Sequence, residues 1–481
     1  MMDVRVRMYR QFLGDCFLIT FGEDQAHMLI DCGVIAGTEG ATERMRAVAQ
    51  DIYDSTKGHL DVLVATHEHW DHLSGFLQAQ DIFDRMTVKN VWLAWTEDPN
   101  DEVARSLRNK REQTRLTVNT AIQRLGMLGP AGFQLAERLG SLMDFFQEER
   151  SATVLGAAKG RTTEDAMNWV GARSGATIHY CAPGEKAIEL EGLEGIRIYV
   201  LGPPKDLSLI KRDLPSKRDP ETYELTFAGG LDKAFLRAAT AYLEVPENLS
   251  VEEEEQIQRG QPFDRYYQIQ ADKAKTMPFF KNHYGFDNPA QDPQGWRRID
   301  DDWLAVAGQL ALQLDSDTNN TSLVLAIELV KSGKILLFAA DAQVGNWLSW
   351  NTLSWSLSRG SGSNTTVTAA DLLRRTVLYK VGHHGSHNAT LREKGLELMT
   401  SPELVAMIPV VQEMAKKKRW NMPFPALARR LEEKTAGRIL QSDRDLTAGG
   451  AAGGDGAQWK AFCEQVSEGP GNLYFDYKVS G

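Results

Sequence analysis

Apolar and polar positions alternate from the start of the chain. Val4, Val6 and Met8 are separated by arginines, the period-two signature of a half-buried strand. Gly14-Asp15 leads into a second apolar run, Cys16 to Phe21. Gly22-Glu23-Asp24 marks a turn before Met28-Leu29-Ile30, which ends at Asp31-Cys32-Gly33. Residues 41–57 carry a helical period. Asp61 to Thr66 is a short apolar strand that stops at a dense polar cluster, and Lys89 to Trp95 is another strand. Strands alternating with helices predict an α/β architecture.

From 97 to 175 the pattern turns helical, around Val103 to Leu125 and Gly132 to Phe146, and predicts a helical insertion. Strands resume at Thr177 to Tyr180 and Ile196 to Leu201, the latter followed by Gly202-Pro203-Pro204. Residues 206–314 read as a second, irregular insertion whose Glu252 to Glu255 run is a solvated face. Leu323 to Leu329 and Ile335 to Ala340 form a buried hairpin. Val377 to Val381 and Val405 to Val410 are strands, Ala426 to Thr435 is a helix, and 448–457 is a Gly/Ala-rich flexible loop. The core is therefore expected in 1–96, 176–205 and 315–481.

Composition narrows the class. The 481 residues are 42% hydrophobic and 25% charged, enough for a large core and unlike a disordered chain. No apolar run approaches the ~18 residues of a membrane span, and the N-terminus has no apolar signal region, so a cytoplasmic location without membrane partners is expected. The four cysteines are scattered, without a Cys-x-x-Cys pair, which fits a reducing compartment and argues against a thiolate zinc site. A net charge of −11 repels nucleic acid overall, so any such binding must be local.

The chemistry concentrates where Val62 to Thr66 runs into His67-Glu68-His69-Trp70-Asp71-His72. In extended chain His67, His69 and Asp71 share one side and His72 takes the other, so two ligand sets can face two metals. Imidazole and carboxylate without thiolate suit Zn2+, Mn2+ or Fe2+. Such a site needs a bridging carboxylate and further imidazole. Asp341 and the His383-His384-Gly385-Ser386-His387 stretch, each just after an apolar strand, are the candidates. His383 and His384, as neighbours in extended chain, point apart. His384 is favoured as the second-metal ligand and His383 as the residue facing substrate; Lys380 and His387 could help neutralise an anion, but each alone reads first as a solvated residue. Asp31, also at a strand end, is expected to orient a ligand histidine.

Asp31, His67-x-His69-x-Asp71-His72, Asp341 and His383-His384-Gly385-Ser386 resemble the ordered motifs of the metallo-β-lactamase superfamily. Within it they are most similar to the hydrolase domain of the DNA-uptake competence channel and its free-standing relatives. Gly14-Asp15-Cys16, Asn319 to Leu325, Trp420-Asn421-Met422-Pro423 and Gly437-Arg438 fit the same group. The resemblance covers roughly 1–96, 176–205 and 315–445. It implies a four-layer αββα sandwich with the metals at one edge. One departure stands out: where the group often has Leu-His-Pro, this chain has Leu201-Gly202-Pro203, so the third histidine of the first metal is missing. His179 sits mid-strand, and His283 lies in the second insertion as an alternative donor.

The resemblance implies a metal-dependent hydrolase of a phosphodiester, in nucleic acid or in a smaller ester. His67 and His69 would hold one ion, Asp71, His72 and His384 the other, and Asp341 would bridge. Bound metal would supply hydroxide by lowering the pKa of water to about 7. Asp71 would orient that hydroxide, and His383 would stabilise developing charge or protonate the leaving group. Lactone or thioester hydrolysis is the alternative within the class. A metal-holding binding or regulatory module is the alternative outside it.

Overall fold

The computed structural model describes residues 2–23, 26–126, 130–146, 161–212, 222, 269, 271–284, 302–358, 364–418, 420–446 and 456–481. The Glu252 to Glu255 run and almost all of the 448–457 loop lie outside them.

The chain opens as an antiparallel run, β1 (Val4–Tyr9), β2 (Cys16–Phe21) and β3 (Ala26–Cys32). It turns parallel through β4 (His59–Ala65), β5 (Thr87–Ala94) and β6 (Thr177–Cys181). A second sheet begins with antiparallel β7 (Ile196–Gly202), β8 (Val324–Leu329) and β9 (Lys334–Phe338). A separate hairpin follows, β10 (Ser354–Ser358) and β11 (Asn364–Thr368). Strands β12 (Thr376–Lys380), β13 (Val405–Ile408) and β14 (Ile439–Gln441) then add to β9 in parallel. The last strands, β15 (Val466–Glu468) and β16 (Tyr474–Val479), return to the first sheet, where β16 pairs with β1. The result is an α/β protein with an eight-stranded and a six-stranded sheet.

Period-two alternation decides which face each side chain serves. In β4, Val62 and Val64 join a core shared with Ile198, Leu325, Leu336, Leu378 and Met407 of the second sheet, so the two sheets pack over one apolar layer. Leu63, between them, joins a different core on the outer face. There it meets helix α1 (Ala41–Thr56) through Met45, Val48, Ala49 and Ile52, a stripe at helical spacing. Trp70, Leu73 and Phe76 of helix α2 (Trp70–Gln78) fill the same layer. Each such fully buried large side chain contributes about 1.5–3 kcal/mol.

Residues 1–108, 144–227 and 315–481 form one compact unit, and 109–143 with 228–314 a second. Both sheets belong to the first; the described residues of the second are mainly helical. Of the stretch 206–314 only 206–212, 222, 269, 271–284 and 302–314 are among the described residues. They hold the helices Leu207–Ile210, Ala271–Thr276 and Pro278–Tyr284, and most of Asp302–Asn319. In the last, Leu310, Ala311 and Leu314 are nearly inaccessible. No helix among the described residues is long and apolar enough to cross a membrane.

Candidate metal centre

Parallel strands of both sheets end at one place, and their polar residues meet there. Thr66 to His69 leave β4, Ala340-Asp341 follow β9, and Val381 to His384 follow β12. Asp31 closes β3, and Asp15 stands just before β2. His69 is extended, but Trp70 begins α2, so Asp71 and His72 lie on a helical first turn. The extended alternation expected through Asp71 therefore stops at His69.

The same correction applies to His383 and His384. Both adopt left-handed backbone, with φ of 42° and 54°, inside a tight turn rather than a strand. Asp31 and Ala340 also have positive φ. Non-glycine residues in that region are held there by their surroundings at a cost of roughly 1–3 kcal/mol each, and they cluster at functional sites. Here Asp31 is held by its partners: its carboxylate accepts from the Thr66 amide at 2.8 Å and the Thr66 hydroxyl at 2.7 Å, and meets His72 Nδ1 at 2.7 Å.

Two groups of buried side chains could hold a metal ion, and they share Asp341. One is His67, His69 and Asp341; the other is Asp15, His72, Asp341 and His384. His67 Nε2 lies 3.0 Å from His69 Nδ1 and 4.0 Å from Asp341 Oδ2. His72 Nε2 lies 3.2 Å from the same oxygen, and His384 Nε2 and His383 Nε2 each 4.0 Å. His384 Nε2 also meets Asp71 Oδ2 at 2.8 Å, while its Nδ1 lies 2.8 Å from the Pro409 carbonyl. Asp341 Oδ2, His72 Nε2, Asp71 Oδ1, Asp15 Oδ1 and His383 Nε2 are all buried without a hydrogen-bond partner. Orphaned buried polar atoms are costly and rare. Two of them, His72 Nε2 and His383 Nε2, lie within 4.0 Å of a third, Asp341 Oδ2, and nitrogen and carboxylate oxygen together fit a divalent cation.

The sequence-derived candidates thus come together: His67, His69, Asp71, His72, Asp341, His383 and His384, with Asp31 behind His72. Asp15 is the residue that sequence reasoning left without a role. Its signal was the Gly14-Asp15 turn: the Asp15 amide donates to the Asp71 carbonyl at 2.9 Å, fixing it beside the centre. Lys380 is not the solvated residue that the sequence had suggested. It is 1% exposed and bonded to Ala340, Asp341 and Asp15. His179 is in β6, and His283 is exposed on its helix, beside Phe279.

Gly202, where the resemblance leads one to expect a histidine nearby, has no room for a side chain. A Cβ at Gly202 would run into the Asn346 side chain. Asn346 is fixed there by bonds from its amide to the carbonyls of Asn320 at 3.1 Å and Ser322 at 3.0 Å, and by accepting from the Trp350 indole at 3.0 Å. The place is filled by a satisfied polar network.

Electrostatics divide the imidazoles. Burial drives His67 well below the usual histidine range, His69 down to about 3 and His383 down to about 4. Burial also pushes His72 down, but the carboxylates of Asp341, Asp15, Asp31 and Asp71 outweigh it and hold His72 well above that range. His384 is raised in the same way, chiefly by Asp341 and Asp71 against burial. Burial would raise Asp341, yet His72 and Lys380 hold it well below the carboxylate range.

The centre is covered. His67, His69, Asp71, His72, Asp341 and His384 are at most 1% exposed. Phe145 and Phe146 lie 5.3 and 4.7 Å from the His69 ring, centre to centre. Phe145 stacks on Trp420 at 4.8 Å, and Asp144 pairs with Lys418 at 2.6 Å. Trp70 is buried in the outer core. The sequence matches no protein-family model and no curated protein.

Proposed function

We propose that the chain is a metal-dependent hydrolase of a phosphodiester, with the αββα sandwich and ligand order of the metallo-β-lactamase superfamily. Asp341 Oδ2 carries this reading: one buried, unpartnered carboxylate oxygen common to two sets of imidazole donors. Two sheets over one core, with helices outside the first, support the fold assignment. Imidazole and carboxylate donors without thiolate suit Zn2+, with Mn2+ or Fe2+ next. A divalent ion bound there supplies a water whose pKa falls to about 7.

In this reading His67, His69 and Asp341 hold one ion, and Asp71, His72, Asp341 and His384 hold the other. Asp31 and the Pro409 carbonyl occupy Nδ1 of His72 and of His384, which leaves Nε2 of each ring to the metal. His383 is uncharged at neutral pH, since burial holds it near 4. It therefore serves an oxygen that gains charge as a neutral hydrogen-bond donor, not as an acid. The Gln343 amide nitrogen, 3.5 Å from its Nδ1, favours the tautomer that puts the proton on Nε2.

Hydrolysis of bis(p-nitrophenyl) phosphate tests the proposal. Turnover should vanish with a chelator, return with Zn2+ or Mn2+, and fall more than about a hundredfold in Asp341→Ala, since even supporting residues cost 10–100-fold. The burial of every ligand favours one other reading, a metal-holding module with little turnover. That reading would win if the purified chain carried metal but cleaved neither this diester nor a lactone or thioester.

A further inference from the structure

A buried lysine lies against the centre. Lys380 ends β12 fully inside the protein, and its Nζ reaches the Ala340 carbonyl at 2.8 Å, Asp341 Oδ1 at 3.3 Å and Asp15 Oδ2. An ammonium has three protons to donate, and these three oxygens take them. Asp15 stands on the rear side of the imidazoles. Its neighbours are Nδ1 of His72 at 3.8 Å and Nδ1 of His384 at 3.7 Å. Both nitrogens are already bonded, to Asp31 and to the Pro409 carbonyl. The Nε2 atoms of the same rings lie instead toward Asp341 Oδ2.

We propose that Lys380 and Asp15 form a positioning pair for the bridging carboxylate, and that Asp15 supports the centre without being a ligand. The ammonium takes Asp341 Oδ1, so Asp341 offers only Oδ2, and that single oxygen is shared by the His67/His69 and His72/His384 donor sets. This rests on the two-ion reading above. Without the ammonium, both Asp341 oxygens close on the better-furnished ion at His72 and His384, and the ion at His67 and His69 loses its carboxylate.

Lys380→Met alone strands a buried carboxylate, which is strongly destabilising. The informative protein is the Asp15→Asn/Lys380→Met double variant, in which both charges leave together; its thermal melt reports folding. Zn2+ and Co2+ are titrated against a chromophoric chelator, with the Co2+ visible spectrum recorded at each step. The double variant should keep one ion with affinity within about threefold of wild type. It should lose the other by about 10–100-fold, the usual effect of removing support from a metal site. One of the two Co2+ spectral steps should disappear. Asp15→Asn alone should keep both ions. A double variant that holds both ions as wild type does overturns the proposal and leaves the two-ion reading standing. So does an Asp15→Asn variant that sheds an ion as Asp341→Ala does, since Asp15 would then be a ligand. Wild-type chain that takes up neither ion fails before any variant is made, and removes the two-ion reading and this proposal together.

Discussion

The Thr66 amide, the Thr66 hydroxyl and the His72 ring all meet at the Asp31 carboxylate, so its charge sets which His72 nitrogen faces the centre. Asp31→Asn keeps the shape and removes that charge. Zn2+ affinity measured by chelator competition should fall about 10–100-fold for one ion; unchanged affinity would mean that His72 is oriented by something else. Proton linkage follows from the neighbouring rings. His72 and His384 are raised in the metal-free fold, so their contribution to stability is full below the unfolded value of about 6.5 and is lost as pH rises through their folded values. His69 and His383 run the other way: neutral in the fold, they favour it above about 6.5, and their contribution is lost as pH falls toward about 3 and about 4. Metal must therefore displace a proton from His72, which is held well above the usual range, but none from His67 or His69. Calorimetry in buffers of different ionisation enthalpy should show proton release near neutral pH, with metal affinity rising as pH rises. Binding without proton release would contradict these charge states.

At the scale of elements, the turn carrying Asp71 and His72 is pressed against a glycine. A Cβ on Gly33 would strike the Asp71 carbonyl carbon and the His72 amide, so Gly33→Ala must displace the start of α2. It should lower the thermal midpoint and release metal together, with the metal content of the soluble protein as the check. The cover makes a second claim. Phe145→Ala removes the ring stacked on Trp420 and facing His69, and should speed metal loss to a chelator by about tenfold or more without weakening equilibrium affinity to match. The strands beside the centre were legible in sequence because β3, β4, β9 and β12 are short apolar runs stopping at polar clusters. What escaped was local backbone. The left-handed turn at His383 and His384, and the helix beginning at Trp70, are imposed by tertiary contacts that no period reveals. Asp15 escaped because a lone carboxylate after a glycine is an ordinary turn signal.

For the whole molecule, the α/β class follows from alternating elements. The closing of the first sheet by β16 against β1 does not, because it joins Val4 to Val479 across the length of the chain. Nor does pattern reveal that Asn346 fills the room beside Gly202. That packing, with three protein donors for the first ion, predicts unequal occupancy: one ion survives dialysis against a mild chelator and one does not. The net charge of −11 bears on substrate size. Cleavage of a polymer through a local site should weaken steeply with added salt, whereas a small diester should be nearly indifferent. The most direct test of the account is the metal content of chain purified from Zn2+-supplemented cells, wild type beside Asp341→Ala, by inductively coupled plasma mass spectrometry. The account predicts at least one divalent ion per wild-type chain and loss of at least one in the variant. A metal-free wild type, or a variant that retains its full complement, would contradict it.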